Sequence, residues 1–121
     1  MNRLTSRDAQ ALAKTWVQTW NTRDLDQILA LYAEDIVFSS PLGATLGSAL
    51  MQTKSELHPY FRAALARSPN LHFELEAVFP GATGVAMILR NDRGQRICET
   101  LTYDEMGHIS VCTVYRDEGG A

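Results

Sequence analysis

One acid stands out in the segment Arg96-Ile-Cys-Glu-Thr-Leu-Thr-Tyr103. Its strict alternation predicts a strand with Ile97, Glu99, Leu101 and Tyr103 on one face and Arg96, Cys98, Thr100 and Thr102 on the other. The apolar set must meet the core, so Glu99 is expected inside, the lone acid on that face. Burying a carboxylate without a partner costs several kcal/mol, so such a group is protonated, paired or hydrated. Each outcome has its own chemistry. A neutral Glu99 donates a hydrogen bond to a carbonyl or oxyanion, an ionised one beside a pocket is a base, and one paired with Arg116, the evident cation of matching parity, is structural.

The hairpin after this strand sets its neighbours. A four-residue loop, Asp104-Glu-Met-Gly107, would place Leu101 opposite Ser110, Glu99 opposite Cys112 and Ile97 opposite Val114. Cys98 then points away from Cys112, which excludes a disulfide between them. Cys112 beside an acid has a raised pKa and is a poor nucleophile. The two cysteines match no zinc spacing, and His58, His72 and His108 fall on a helix, a polar strand face and a turn, so no metal and no cofactor is expected. Asp24, Asp35 and Asp104 read as caps and turns.

Three helices and four strands are needed to position these residues. Ala9, Leu12, Ala13, Trp16, Val17 and Trp20 recur at helical spacing behind a Thr5/Asp8 capping pair. Asn21 to Arg23 turns the chain, and Leu25, Ile28, Leu29 and Tyr32 make a second helix ending near Glu34. Ile36, Val37 and Phe38 form a strand stub. Pro41, Gly43 and Gly47 predict a loop over residues 41–51. Thr53 and Glu56 open a third helix, carrying Leu57, Tyr60, Phe61, Ala64 and Leu65, that stops before Ser68 because Pro69 follows. Beyond residue 70 the period turns to two. Leu71, Phe73 and Leu75 alternate with polar residues up to Pro80 and Gly81, and residues 83–90, 95–103 and 108–116 read as three further strands. Helices followed by antiparallel strands define an α+β fold with helices packed on one face of the sheet.

Composition bounds the possibilities. At 121 residues, 45% hydrophobic and 21% charged, the chain makes one globular domain over residues 1–121 with a loose end from Asp117 to Ala121. A net charge of −3 without a basic block argues against nucleic acid and anionic membrane surfaces as partners. No apolar run approaches the roughly 20 residues that cross a bilayer, and the polar start lacks a signal core; a cytoplasmic location is expected. The last strand and Val85-Ala-Met-Ile-Leu89 are apolar on both faces. The side carrying Ile109, Val111, Thr113 and Tyr115 is most simply covered by a second copy, giving a homodimer, or else by the C-terminal segment folding back.

The runs Trp16-Val-Gln-Thr-Trp-Asn21, Asp24-Leu-Asp-Gln-Ile-Leu-Ala-Leu-Tyr-Ala-Glu-Asp35 and Val37-Phe-Ser-Ser-Pro41 resemble the nuclear transport factor 2-like superfamily, more narrowly its SnoaL-like and ketosteroid isomerase-like branches. The resemblance implies a cone-shaped α+β barrel: three N-terminal helices on a curved, mostly antiparallel sheet, a pocket in the open end and frequent dimerisation through the outer face. Carried over by residue, the isomerase's tyrosine donor falls on Trp16, its aspartate base on Ser40 and its protonated aspartate on Glu99. A serine hydroxyl does not remove a carbon-bound proton unaided, so the resemblance implies something other than a standard ketosteroid isomerase. The Asp-Arg-Asp set of the epoxide hydrolase branch and the Tyr, His and Asp set of the dehydratase branch are not found. The expected function is binding of a small, largely apolar organic molecule, with Glu99 at its polar end. Its pocket wall would draw on Trp16, Trp20, Tyr32, Phe38, Ser40, Tyr60, Phe61, Met87, Leu101, Cys112 and Val114. The alternative is an isomerase, cyclase or hydrolase using Glu99 as acid or base.

Overall fold

Local signals at the ends of α1 (Ser6–Asn21) act as the sequence predicts. Thr5 accepts from the Asp8 amide while Asp8 reaches back to the Thr5 amide, and the stripe Ala9, Ala13, Trp16 and Trp20 is buried. The computed structural model describes residues 5–45 and 50–117, the side chains of residues 44 and 45 excepted. Asp24 caps α2 (Leu25–Leu29) through the Gln27 amide. The turn between them puts Arg23 at φ 61°, and its guanidinium donates to the Ser68 and Leu65 carbonyls at 2.9 and 2.8 Å. Arg23 thereby satisfies the Leu65 carbonyl left open at the end of α4 (Lys54–Arg67) and adds a second donor to the Ser68 carbonyl, which also accepts from the Leu71 amide. Thr53 caps α4 through the Glu56 amide, but Glu56 accepts from the Gln52 amide, one residue before the cap.

Several boundaries depart from the sequence reading. The second helix ends at Leu29 instead of near Glu34, because Tyr32 to Glu34 join the strand β1 (Tyr32–Ser39), which also takes in Asp35. The segment read as a loop contains the short helix α3 (Pro41–Thr45) and the strand β2 (Leu50–Met51), while residues 46–49, with Gly47, lie outside the described residues. Leu71 and Phe73 keep their inward direction but precede β3 (Glu74–Pro80). The Asn21 amide bonds both the Phe73 carbonyl and the Phe73 N–H, at 3.0 and 2.9 Å, so Phe73 has no backbone group left for a strand neighbour. Asp117 donates its amide to the Arg96 carbonyl, and residues 118–121 lie outside the described residues.

The remaining strands, β4 (Gly84–Arg90), β5 (Arg96–Tyr103) and β6 (Ile109–Arg116), match expectation within a residue. Six strands build one curved, unclosed sheet in the order β2-β1-β6-β5-β4-β3, antiparallel except where β1 runs parallel to β6. The β5–β6 register differs by two residues from the predicted one. Tyr103 pairs with Ile109, which lengthens the loop by one, and a bulge at Ser110 adds another, so Glu99 faces Val114 and Leu101 faces Cys112. Two single shifts restore the parity. Cys112 and Val114 still share the face of Glu99, and Cys98 and Cys112 are both free thiols. Ile109, however, sits before the bulge and is fully buried, so it leaves the outer face to which its spacing assigned it.

Helices α1 and α4 close the concave face of the sheet. Between them seven aromatic rings form one contact chain, with Phe61 at its centre against Trp20, Tyr32, Phe38 and Tyr60 at centroid distances of 4.9 to 5.9 Å. Trp16 and Phe73 extend the chain through 5.3 Å. No described helix is long and apolar enough to cross a membrane.

Candidate functional site

The aromatic cluster leaves a cavity of about 580 Å³ between α1, α4 and the concave face. Its buried lining includes Trp16, Trp20, Phe38, Ser40, Phe61, Ile97 and Glu99, and its exposed rim Arg67, Asp92, Arg93 and Gln95. Strand alternation brings Ile97, Glu99, Val114 and Arg116 onto this surface, and α4 adds Tyr60 and Phe61.

Glu99 is 5% exposed. Burial lifts its pKa from the usual 4.5 to about 7, against smaller downward pulls from a hydrogen bond with Cys112 and from the Arg116 charge. The Cys112 thiol donates to Oε1 at 3.4 Å, and Oε2 takes no hydrogen bond among the described residues. Arg116 shares the cavity with Glu99, but the two form no ion pair among the described residues. The structural pairing that the sequence left open is therefore not made. Cys112 itself is fully buried, and burial together with Glu99 holds its thiol well above the ordinary range.

A second polar group lies at the start of α3. Ser40 Oγ accepts from the Gly43 amide at 3.0 Å and shares a 2.6 Å bond with the Tyr60 hydroxyl. Two hydroxyls carry two protons, and their mutual bond uses one. Whichever oxygen donates, one O–H remains to meet a guest in the cavity. Trp16 is committed differently: its indole N–H donates to the Tyr32 hydroxyl at 3.2 Å, and that oxygen also accepts from Trp20 at 3.3 Å. The Trp16 ring faces the cavity, but its only donor is spent, so Ser40–Tyr60 supplies the donor for which the sequence also considered Trp16.

Of the residues singled out from sequence, Trp16, Trp20, Phe38, Ser40, Tyr60, Phe61, Glu99 and Val114 meet at the cavity. Tyr32, Met87, Leu101 and Cys112 do not line it; all four are at most 1% exposed and sit behind the wall. His58, His72 and His108 are exposed, and no group of three or more metal-ligating side chains occurs among the described residues. Sequence reasoning missed the polar rim. Arg67 falls at the end of a predicted helix and Asn91 to Gly94 between two predicted strands, and no local signal says that these two segments meet over one cavity.

Helices seated in a curved, open sheet with a cavity at one end define a protein of the nuclear transport factor 2-like class. Within it, the chain belongs to the SnoaL-like domain family, whose model matches residues 13–121. A solved SnoaL-like protein of unknown function from Burkholderia thailandensis E264 is 29% identical, with 96% of this chain and 99% of that one covered and a TM-score of 0.88. A candidate isomerase of the SnoaL-like family from Agrobacterium tumefaciens strain C58 is 16% identical over 90% of this chain and 97% of its own, with a TM-score of 0.71. An NTF2-like protein of unknown function from Cytophaga hutchinsonii has the same identity, 16%, over 98% and 96%, also with a TM-score of 0.71. At that identity the likeness concerns the fold. No curated protein matches the chain.

Proposed function

We propose that this SnoaL-like domain binds a small, largely apolar organic molecule in its cavity, with the Glu99 carboxyl at the polar end. The observation that carries this is a buried carboxyl on an aromatic-lined cavity of about 580 Å³, with one oxygen unpartnered among the described residues. Below pH 7 Glu99 is mostly protonated and donates to a carbonyl or phenolate, and the spare Ser40–Tyr60 proton is a second donor. A thermal-shift screen of ring ketones and phenols against wild type, Glu99→Gln and Glu99→Leu tests it. Hits should weaken about tenfold or more in Glu99→Leu, which has no polar atom, and less in Glu99→Gln, which keeps a donor. Equal affinity of every hit for all three proteins removes the role of Glu99.

A pKa of about 7 favours a second reading, an isomerase, cyclase or hydrolase in which Glu99 moves a proton, because both its forms are then populated at neutral pH. Turnover of a hit that Glu99→Gln abolishes while binding persists would establish it.

The same proposal covers the whole molecule. Residues 1–121 act as a single domain, and two copies pair through the convex face of the sheet, where Val37, Phe79, Val111 and Tyr115 are 36%, 58%, 40% and 56% exposed. Two free thiols suit a reducing compartment such as the cytoplasm.

A further inference from the structure

Two elements that line the cavity change character along it. On β5 the lining residues are Glu99 and Ile97, both buried, and then Gln95 just before the strand, which is exposed. On α4 they pass from buried Phe61 through half-buried Ala64 to exposed Arg67. At the usual rises per residue, the mouth lies about 13 Å from Glu99 along the strand and about 9 Å from Phe61 along the helix.

The chain carries a net charge of −3, but this mouth holds two guanidiniums, Arg67 and Arg93, against the single carboxylate of Asp92 among the described residues lining it. Neither arginine has a carboxylate within ion-pair distance among the described residues, where the ion pairs are Lys54–Glu34 and Arg90–Glu76. The two are neighbours. Arg93 Nη2 donates to Ser68 Oγ at 3.4 Å, which puts its guanidinium beside the residue that follows Arg67. Asn91 shapes the loop that carries Arg93, its Oδ1 accepting from the Arg93 and Gln95 amides at 3.0 and 2.9 Å. A charged group on a guest therefore has one favourable position. Deep in the cavity it would lose its hydration beside Glu99, at a cost of several kcal/mol. Arg116, the remaining cation of the lining, has a buried Nε and an Nη1 already given to Gln95. At the mouth an anion keeps its water and meets two cations.

We infer that the guest is an elongated amphiphile: an apolar body along the aromatic wall, a neutral polar end at Glu99, and a carboxylate left at the mouth beside Arg67 and Arg93. The inference rests on the ligand-binding reading above and adds to it a second polar end and a length. The exposed guanidiniums also attract such an anion from solution before its body enters. A guest too short to span the cavity gains nothing from them once bound.

Calorimetric titration of the full chain at low salt with para-hydroxyphenylacetate, ω-(para-hydroxyphenyl)hexanoate and the amide of each tests this. The phenol is the end for Glu99. The long acid should bind about fivefold more tightly than its amide, and the short acid and its amide alike, because only the longer chain reaches both ends. High salt should shrink the long acid's advantage, since both arginines are exposed. The double variant Arg67→Gln, Arg93→Gln, checked for folding by circular dichroism, should bring the acid-to-amide ratio near one. Equal binding of the long acid and its amide by the wild type, the same preference in the short pair, or a preference that persists in the double variant overturns this inference and leaves the ligand-binding reading standing. If none of the four probes binds, that reading falls and this inference with it.

Discussion

The Cys112 thiol points its donor at Glu99 Oε1 across 3.4 Å, so the one buried acid among the described residues is held by a weak donor instead of a cation. A thiol offers a carboxylate little compared with a hydroxyl or a guanidinium, which is why burial dominates and the pKa stays near 7. Replacing Cys112 by Ala should raise the Glu99 pKa further, and by Ser should lower it. Carbon-13 NMR titration of the Glu99 carboxyl would read both shifts, and movement in the same direction in the two variants would contradict this account.

Stability should fall as pH rises between about 4.5 and 7. The folded state keeps the Glu99 proton that the unfolded chain releases near 4.5, so the contribution is complete below that pH and is lost as pH climbs through 7. The difference is on the order of 3 kcal/mol. Urea unfolding of wild type and Glu99→Gln at pH 4.5 and 8 isolates it, because other titrating groups cancel between the two proteins. A slope shared by both would assign the effect elsewhere.

Tyr32→Phe should destabilise by about 2 kcal/mol, with no change in ring packing to explain it. The phenol oxygen is the shared acceptor of the Trp16 and Trp20 indoles, and its loss leaves two buried donors unpaired. Denaturant unfolding measures the loss, and a neutral result would mean that water replaces the hydroxyl.

Gly84→Ala should cost more than Gly94→Ala. A Cβ on Gly84 would run into the Leu101 carbonyl oxygen across the β4–β5 pair, and no flexible side chain is available to give way. Gly94 at φ +78° has open space around its Cα, so alanine there meets only the left-handed backbone cost of about 1 kcal/mol. Melting temperatures of the two variants should keep that order.

If the convex face is a dimer interface, Cys98 lies within it. Its side chain shares the outer face with Thr100, Thr113 and Tyr115, and its thiol is half-buried in the single chain. Light scattering should give twice 13.4 kDa at micromolar concentration, and labelling of Cys98 by a thiol reagent should slow as protein concentration rises. A monomer whose labelling rate ignores concentration would exclude the pairing. Cys112, fully buried, should label only on unfolding in either case.

Helix periods, capping pairs and strand alternation are written in neighbouring residues, so α1, α4 and the three last strands were legible, as was the inward direction of Glu99. The placing of Cys112 and Val114 on the face of Glu99 even survived an error of two residues in register, because a longer loop and the Ser110 bulge each flip parity once. What distant parts of the chain decide was not legible. Tyr32 to Asp35 follow helical spacing but become strand, because β6 offers a parallel partner nearly 80 residues away. Phe73 stays out of the sheet because Asn21 takes its backbone bonds. The Trp16 indole is spent on Tyr32, and Arg116 lines the same cavity as Glu99 without forming an ion pair with it among the described residues. Spacing can say which way a side chain faces. Which groups meet, and which are left without a partner, depends on how helices, hairpin loops and sheet close over one cavity, and only the tertiary structure decided that.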